Sequence, residues 1–176
     1  MQEVILVDEQ DRELGREEKM KAHEKGILHR AFSFFIFYQR VDMLLQQRAL
    51  EKYHSGGLWS NACCSHPAPG EETATAAARR LQEELGFTTP LQKQFDFIYR
   101  AEFGNGLVEH EFDHVFTGRY EGPIPFNPEE VMEVVYLPMN RIHDMLQSTP
   151  EKFTAWFRIA FPGIRDWWQQ QQTVTV

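Results

Sequence analysis

The sequence predicts an α/β (α+β) fold, a mixed sheet flanked by helices in a single domain. Three observations carry the expectation. β-rich runs recur along the chain, with the clearest helical segment set between them. The run AFSFFIFY at residues 31–38 is apolar on both faces, as a central strand covered from both sides must be. No internal repeat or long linker divides the 176 residues, and a chain of this length with 42% hydrophobic residues buries roughly 70% of its unfolded surface as one unit. The domain is therefore expected to span residues 1–176.

Residues 4–8 are β-rich, and the polar stretch 9–13 followed by Gly15 turns the chain into a second short strand. Residues 43–48 (MLLQQR) pair with the central strand across a turn at 39–42. Glycine, proline, serine and asparagine without a sustained period make 56–70 a loop, which carries Cys64 and His66. Residues 71–85 (EETATAAARRLQEEL) form the clearest helix, acidic in its first turn and stopped by Gly86.

Strands at 95–100 and 108–120 are joined around Gly104, Asn105 and Gly106. Period-two alternation puts Glu109, Glu111 and Asp113 on one face of the second strand and His110, Phe112 and His114 on the other. After a proline-rich loop at 122–128, residues 131–137 form a last strand. Asn140 caps a helix running to Gln147. Pro150 opens another, with Phe153, Trp156, Phe157 and Ala160 on its apolar stripe, and the tail beyond Gly163 is a final short helix or a frayed end.

A net charge of −8 argues against a nucleic-acid surface, so an anionic ligand must be gripped by a few placed cations. The N-terminus lacks the pattern of a signal peptide and no apolar run spans a bilayer. The two cysteines, Cys63 and Cys64, are adjacent and cannot close the long loop of a structural disulfide. A cytoplasmic protein with no membrane partner is expected.

His23 and His29, Cys64 and His66, and Glu109 and Glu111 lie in three separate segments. Together they have the makeup of one metal-centred acid-base site, because imidazole and carboxylate suit divalent ions and a nearby thiol is poised for proton transfer. Taken singly, His23 reads equally well as a surface residue, and Glu109 and Glu111 as a solvated strand face. Arg80 and Glu84, four apart, read as a helix salt bridge worth about 0.3–0.5 kcal/mol. Trp156 reads as core. His54, His110, His114 and His143 match no motif position and are expected to be structural or solvent-facing.

The helix resembles the Nudix signature, with Glu71, Arg79, Leu81, Glu83, Glu84, Gly86 and Phe87 at its spacing. Ser65 replaces the first glycine and Arg80 replaces a signature glutamate. HRAFS (29–33), QQRAL (46–50), NACCSHP (61–67), RRLQEELG (79–86), YRA (99–101), VEHE (108–111) and Trp156 together resemble the type 1 isopentenyl-diphosphate delta-isomerases, with a Nudix-like core at about residues 27–161. The resemblance implies that His23, His29, His66, Glu109 and Glu111 hold one divalent metal (manganese, zinc or magnesium).

The reaction it implies turns isopentenyl diphosphate into dimethylallyl diphosphate by a 1,3-allylic proton shift. Cys64 would act on one side of the substrate and Glu111 with Tyr99 on the other, and Trp156 would face the carbocation with about 2 kcal/mol of cation-π stabilisation. It further implies that Lys19, Arg48, Lys52 and Arg80 surround the diphosphate. Glu84 and the Cys64 carbonyl would hold a magnesium ion on it. A monomer or weak homodimer is expected. Two other classes remain, a Nudix-type diphosphate hydrolase and a zinc-stabilised binding module.

Overall fold

The computed structural model describes residues 1–173, so the last three residues of the expected domain span lie outside the described residues. The apolar run forms β3 (His29–Tyr38), and it is the hub of the sheet. It pairs antiparallel with β1 (Glu3–Val7) and β4 (Asp42–Arg48), and parallel with β8 (Val108–Arg119) from His29 opposite Glu111 to Phe37 opposite Arg119. β2 (Glu13–Glu18) extends the sheet beyond β1, and β7 (Gln92–Glu102) extends it beyond β8. The sheet is mixed and flanked by helices, as expected. The hairpin of β3 with β4 is present, but most of the β4 ladder is made with β9 (Val131–Pro138).

Alternation along β3 sends its side chains into two cores. Phe35 and Phe37 join Tyr99, Val115 and Phe157, whereas Phe32, Phe34 and Ile36 pack beneath α2 (Thr73–Leu85) against Ala76, Ala77 and Leu81. Each fully buried large apolar side chain contributes roughly 1.5–3 kcal/mol, so burial on both faces fixes the register of the central strand. α2 ends where expected. Gly86 adopts φ 74° and donates its N–H to Gln82, and a Cβ there would lie 2.4 Å from the Pro125 carbonyl oxygen.

The α2 start differs from the expectation. Its first turn holds no acidic residue, because Glu71 lies outside the helix, accepts the Ala68 N–H and pairs with Arg79. Residues 56–70 are not simply a loop: they contain β5 (Trp59–Ser60) and β6 (Cys63–Ser65), and β6 pairs with β3. A segment this buried must give its backbone polar groups partners, and β3 supplies them.

α3 (Met139–Ser148) begins one residue before Asn140, so Asn140 is not its cap; Pro138 holds that position. Pro150 opens a one-turn 3-10 helix (Pro150–Lys152), and Phe153 is extended. Thr154 donates its N–H to Trp59 and its hydroxyl to Ser60, which anchors the chain before the last helix begins. α4 (Ala155–Thr173) then runs unbroken through Pro162, so up to Thr173 the tail is neither a separate helix nor frayed, and the last three residues lie outside the described residues. Trp167 and Trp168 fasten it by donating indole N–H bonds to Gln94 and to the Arg40 carbonyl. Phe153, Trp156, Phe157 and Ala160 share one core, although Phe153 is not on the helix.

Candidate active site and metal centre

Four elements deliver one cluster. His23 lies on α1 (Lys19–Lys25), His29 opens β3, His66 follows β6, and Glu111 sits on β8. Their ligand atoms lie within 4.8 Å of one another, and all four side chains are buried. The parallel ladder sets His29 directly opposite Glu111. α1 is short, and Gly26 ends it at φ 65° with its N–H on Ala22, leaving Ala22 and His23 turned inward.

Hydrogen bonding prepares the ring nitrogens. His29 Nδ1 donates to the Ile27 carbonyl at 2.8 Å, which leaves Nε2 its lone pair. That Nε2 lies 3.1 Å from Glu111 Oε2, the same oxygen that His66 Nε2 contacts. Both ring nitrogens of His23 and Nδ1 of His66 have no hydrogen-bond partner among the described residues despite burial. An unpartnered buried polar group costs about 1–3 kcal/mol, and a divalent ion between the four residues would answer it. Three imidazoles and a carboxylate fit zinc or manganese chemistry.

The protonation states of His23, His66 and Glu111 agree with ligand duty, whereas that of His29 does not. Burial pushes His23 down to about 3, helped by the neighbouring His66 and His29. Burial likewise lowers His66. Burial opposes charge on His29, but the Glu111 carboxylate outweighs it and its pKa is raised. Burial would raise Glu111, yet His66 and His29 hold it well below the usual carboxylate range.

Glu109 stands outside the four-residue group. Its Oε2 accepts the Tyr99 hydroxyl at 2.9 Å and its Oε1 meets His54 Nε2 at 2.8 Å. Tyr99 also donates to Glu111 Oε1, so one phenolic hydrogen bridges the two carboxylates. Burial, then Glu109 and Glu111, push the Tyr99 hydroxyl well above its ordinary value, so it stays a donor.

His54 corrects the sequence reading. It is not solvent-facing, and it packs at the site itself: it is 7% exposed, stacks on Phe103 at 4.5 Å and meets Trp156 edge-on at 5.5 Å. No motif marks it, and only the fold of the 50–57 segment brings it here.

The adjacent cysteines face opposite ways. Cys63 is buried in the core beneath α2, while Cys64 lines a cavity of about 670 Å³ shared with His66, Glu109, Glu111 and Trp156. The Cys64 sulfur lies 3.1 Å from Ser33 Oγ and donates to Asn61 Oδ1 at 3.2 Å. Burial and the Asp113 carboxyl raise its pKa well above the ordinary thiol value, so it rests as a neutral thiol.

Lys19, Arg48, Lys52 and Arg80 line the same cavity. Burial lowers Lys19 to about 8 and Lys52 adds to the effect. Arg80 donates to Glu84 Oε1 at 2.6 Å, and Gln46 Nε2 donates to Glu84 Oε2 at 3.2 Å. Glu84 is only 6% exposed, so the pair is no ordinary surface salt bridge. Lys52 pairs with Glu130 at 2.5 Å, and Arg48 stacks over the Trp156 ring at 5.0 Å. Gln46 and Glu130 are the other site residues that sequence patterning did not single out. Glu130 carries no signal beyond its place after a proline-rich loop.

The fold matches solved structures at low identity. A Deinococcus radiodurans crystal structure superposes with TM-score 0.76 at 16% identity, covering 92% of this chain and 98% of that one. A MutT protein from Methanosarcina mazei gives 0.63 at 18% identity, covering 82% and 95%. The NUDIX domain family model matches residues 27–157. The isopentenyl-diphosphate Delta-isomerase of Pectobacterium atrosepticum is 53% identical over 167 residues, covering 95% of this chain and 93% of its own.

This chain belongs to the isopentenyl-diphosphate Delta-isomerase family of NUDIX domains. A second family member, from Halorhodospira halophila, is 44% identical over 95% of this chain and 98% of its own length. The NUDIX match at residues 27–157 contains every candidate site residue except Lys19 and His23. Those two sit on α1, outside the shared NUDIX core but inside the span that isomerase-family relatives cover.

Proposed function

We propose that this protein converts isopentenyl diphosphate into dimethylallyl diphosphate by a 1,3-allylic proton shift. The observation that carries the reading is one cavity lined by a neutral thiol, a Tyr99-bridged carboxylate pair, an indole and four cations. A hydrolase of a diphosphate has no need of a neutral thiol in its cavity. A diphosphate isomerase needs both ends of this arrangement.

Lys19, Arg48, Lys52 and Arg80 bind the diphosphate, the arginines by forked contact and the lysines as point charges. Binding displaces part of the existing pairing of Lys52 with Glu130 and of Arg80 with Glu84. Glu84, freed on one side, and the Cys64 carbonyl would hold a magnesium ion that offsets the diphosphate charge. Cys64 and Glu111 form the proton-transfer pair: one adds a proton to the terminal carbon, and the other takes one from the methylene next to the resulting tertiary cation, on its diphosphate side, so the double bond moves and no atom is lost.

Tyr99 keeps its hydrogen and steadies Glu111. Trp156, 3% exposed, places its electron-rich face where the tertiary cation develops, a term of about 2 kcal/mol when desolvated. His23, His29, His66 and Glu111 would hold the divalent centre, manganese or zinc, and Glu109 would join as a fifth donor by giving up its contact with Tyr99 or His54. A metal bound there sets the proton affinity of the Glu111 carboxylate. Both cysteines are free, in keeping with a reducing, cytoplasmic setting.

The test uses purified protein, magnesium and isopentenyl diphosphate in deuterated water, followed by NMR. Dimethylallyl diphosphate carrying deuterium in a methyl group, with negligible inorganic phosphate, is expected. Phosphate release without allylic product would replace this reading with a Nudix-type hydrolase.

A further inference from the structure

Behind the Cys64 sulfur lies a buried polar chain that does not line the substrate cavity. Ser33, 1% exposed on β3, sits opposite Cys64 in the β3 to β6 ladder. Its hydroxyl lies 3.1 Å from Cys64 Sγ and donates to Asp113 Oδ2 at 2.6 Å. Asp113 comes from β8, 2% exposed, and its Oδ1 has no partner among the described residues. Cys64 also donates to Asn61 Oδ1, while the Asn61 amide nitrogen is committed to the Phe34 and Cys63 carbonyls. Asn61 therefore offers the sulfur only an acceptor.

A reacting thiol passes through two states, S–H and S⁻, with opposite hydrogen-bonding needs. Asn61 serves only the first. A hydroxyl serves both, because it offers a lone pair or, by rotation about one bond, its hydrogen. Ser33 is the group placed to do so, and Asp113 is the group that holds its hydrogen while the sulfur carries its own.

We propose that Ser33 is a positioning residue: at rest its hydroxyl is held by Asp113 while the thiol hydrogen lies on Asn61, and it turns to donate to the sulfur once the thiol has given up its proton. Substrate contact is not part of the role, so substrate affinity is independent of it. The inference rests on the isomerase reading, in which Cys64 takes part in proton transfer.

The experiment compares wild type, Ser33→Ala, Ser33→Thr and Asp113→Asn as metal-loaded, full-length proteins. The readouts are kcat and KM for isopentenyl diphosphate, the solvent deuterium effect on kcat, and thermal melts. For Ser33→Ala a fall in kcat of about tenfold or more is expected, since a positioned hydrogen bond to a charged group is worth about 1.5–3 kcal/mol. KM should stay within about twofold and the deuterium effect should rise, because proton transfer becomes slower than the other steps.

Ser33→Thr keeps the hydroxyl and should recover most of kcat. Asp113→Asn should lower kcat with KM unchanged, and it carries the test should Ser33→Ala not fold. Wild-type kcat in a folded Ser33→Ala or Asp113→Asn protein, or KM rising in step with the loss of kcat, overturns the proposal. Failure of wild type itself to isomerise would instead overturn the isomerase reading.

Discussion

Replacing each of the adjacent cysteines with alanine should separate stability from turnover. Cys63 is 1% exposed and packs in the core with Phe32, Phe34 and Leu81. Removing its sulfur loses about one methylene's worth of burial, ~0.8 kcal/mol. The small void left behind adds about 0.5 kcal/mol at ~24 cal/mol per Å³. The sum, about 1–1.5 kcal/mol, lowers Tm by about 3–5 °C in a chain of this size. Turnover should stay within about threefold, because this sulfur faces α2 and not the cavity.

Cys64 behaves oppositely. Its sulfur lines the cavity and makes only weak thiol contacts with Ser33 and Asn61, so Cys64→Ala should move Tm by no more than about 2 °C, the response to under ~1 kcal/mol. Loss of a proton-transfer group should lower kcat by about 10²–10⁴-fold. Thermal melts and a coupled or NMR assay on the same samples read both effects. A folded Cys63→Ala protein without activity, or a Cys64→Ala protein that keeps kcat, would refute the opposed orientation and the assignment resting on it.

Metal content measured by elemental analysis should fall sharply in His29→Ala and His66→Ala, fall less in Glu109→Ala, whose carboxylate is occupied by Tyr99 and His54, and stay unchanged in His143→Ala; full metal in all four would dismiss the centre. Metal-free protein should lose stability on acidification. The unfolded His23 takes a proton near pH 6.5 whereas the folded one resists until about 3, so stability drops as pH falls between those values. The lowered Glu111 adds to the loss at the acid end, while the raised His29 opposes it. In urea melts His23→Asn should flatten this slope, and an unchanged slope would count against the buried neutral imidazole. Trp156→Leu should cut kcat by about 30-fold if the indole supplies ~2 kcal/mol to the cation, with melts controlling for its packing; a loss under threefold would leave Trp156 a core residue.

The sequence by itself determined the central strand, α2 with its Gly86 stop, the β7 to β8 hairpin and the shared face of Glu109, Glu111 and Asp113. These are local or periodic features: two-sided apolarity, a 3.6-residue stripe, a glycine at positive φ, an alternation of two. The motif segments around His29, Cys64 and Glu84 were legible in the same way, as short strings of chemistry-bearing residues. Element boundaries were less so. Glu71 and Pro150 carry helix-start signals, yet an ion pair with Arg79 and the docking of Thr154 on β5 decided where α2 and α4 begin.

Only the tertiary structure decided which residues meet. The parallel pairing of β3 with β8 sets His29 beside Glu111 across a separation of 82 residues, and no periodicity in either strand encodes that register. His54, Gln46, Glu130 and the Ser33 to Asp113 chain became site residues by the same means. A side chain's chemistry is written in its own residue, but its partners are set by long-range packing, which a single sequence carries only in the sum of its buried faces.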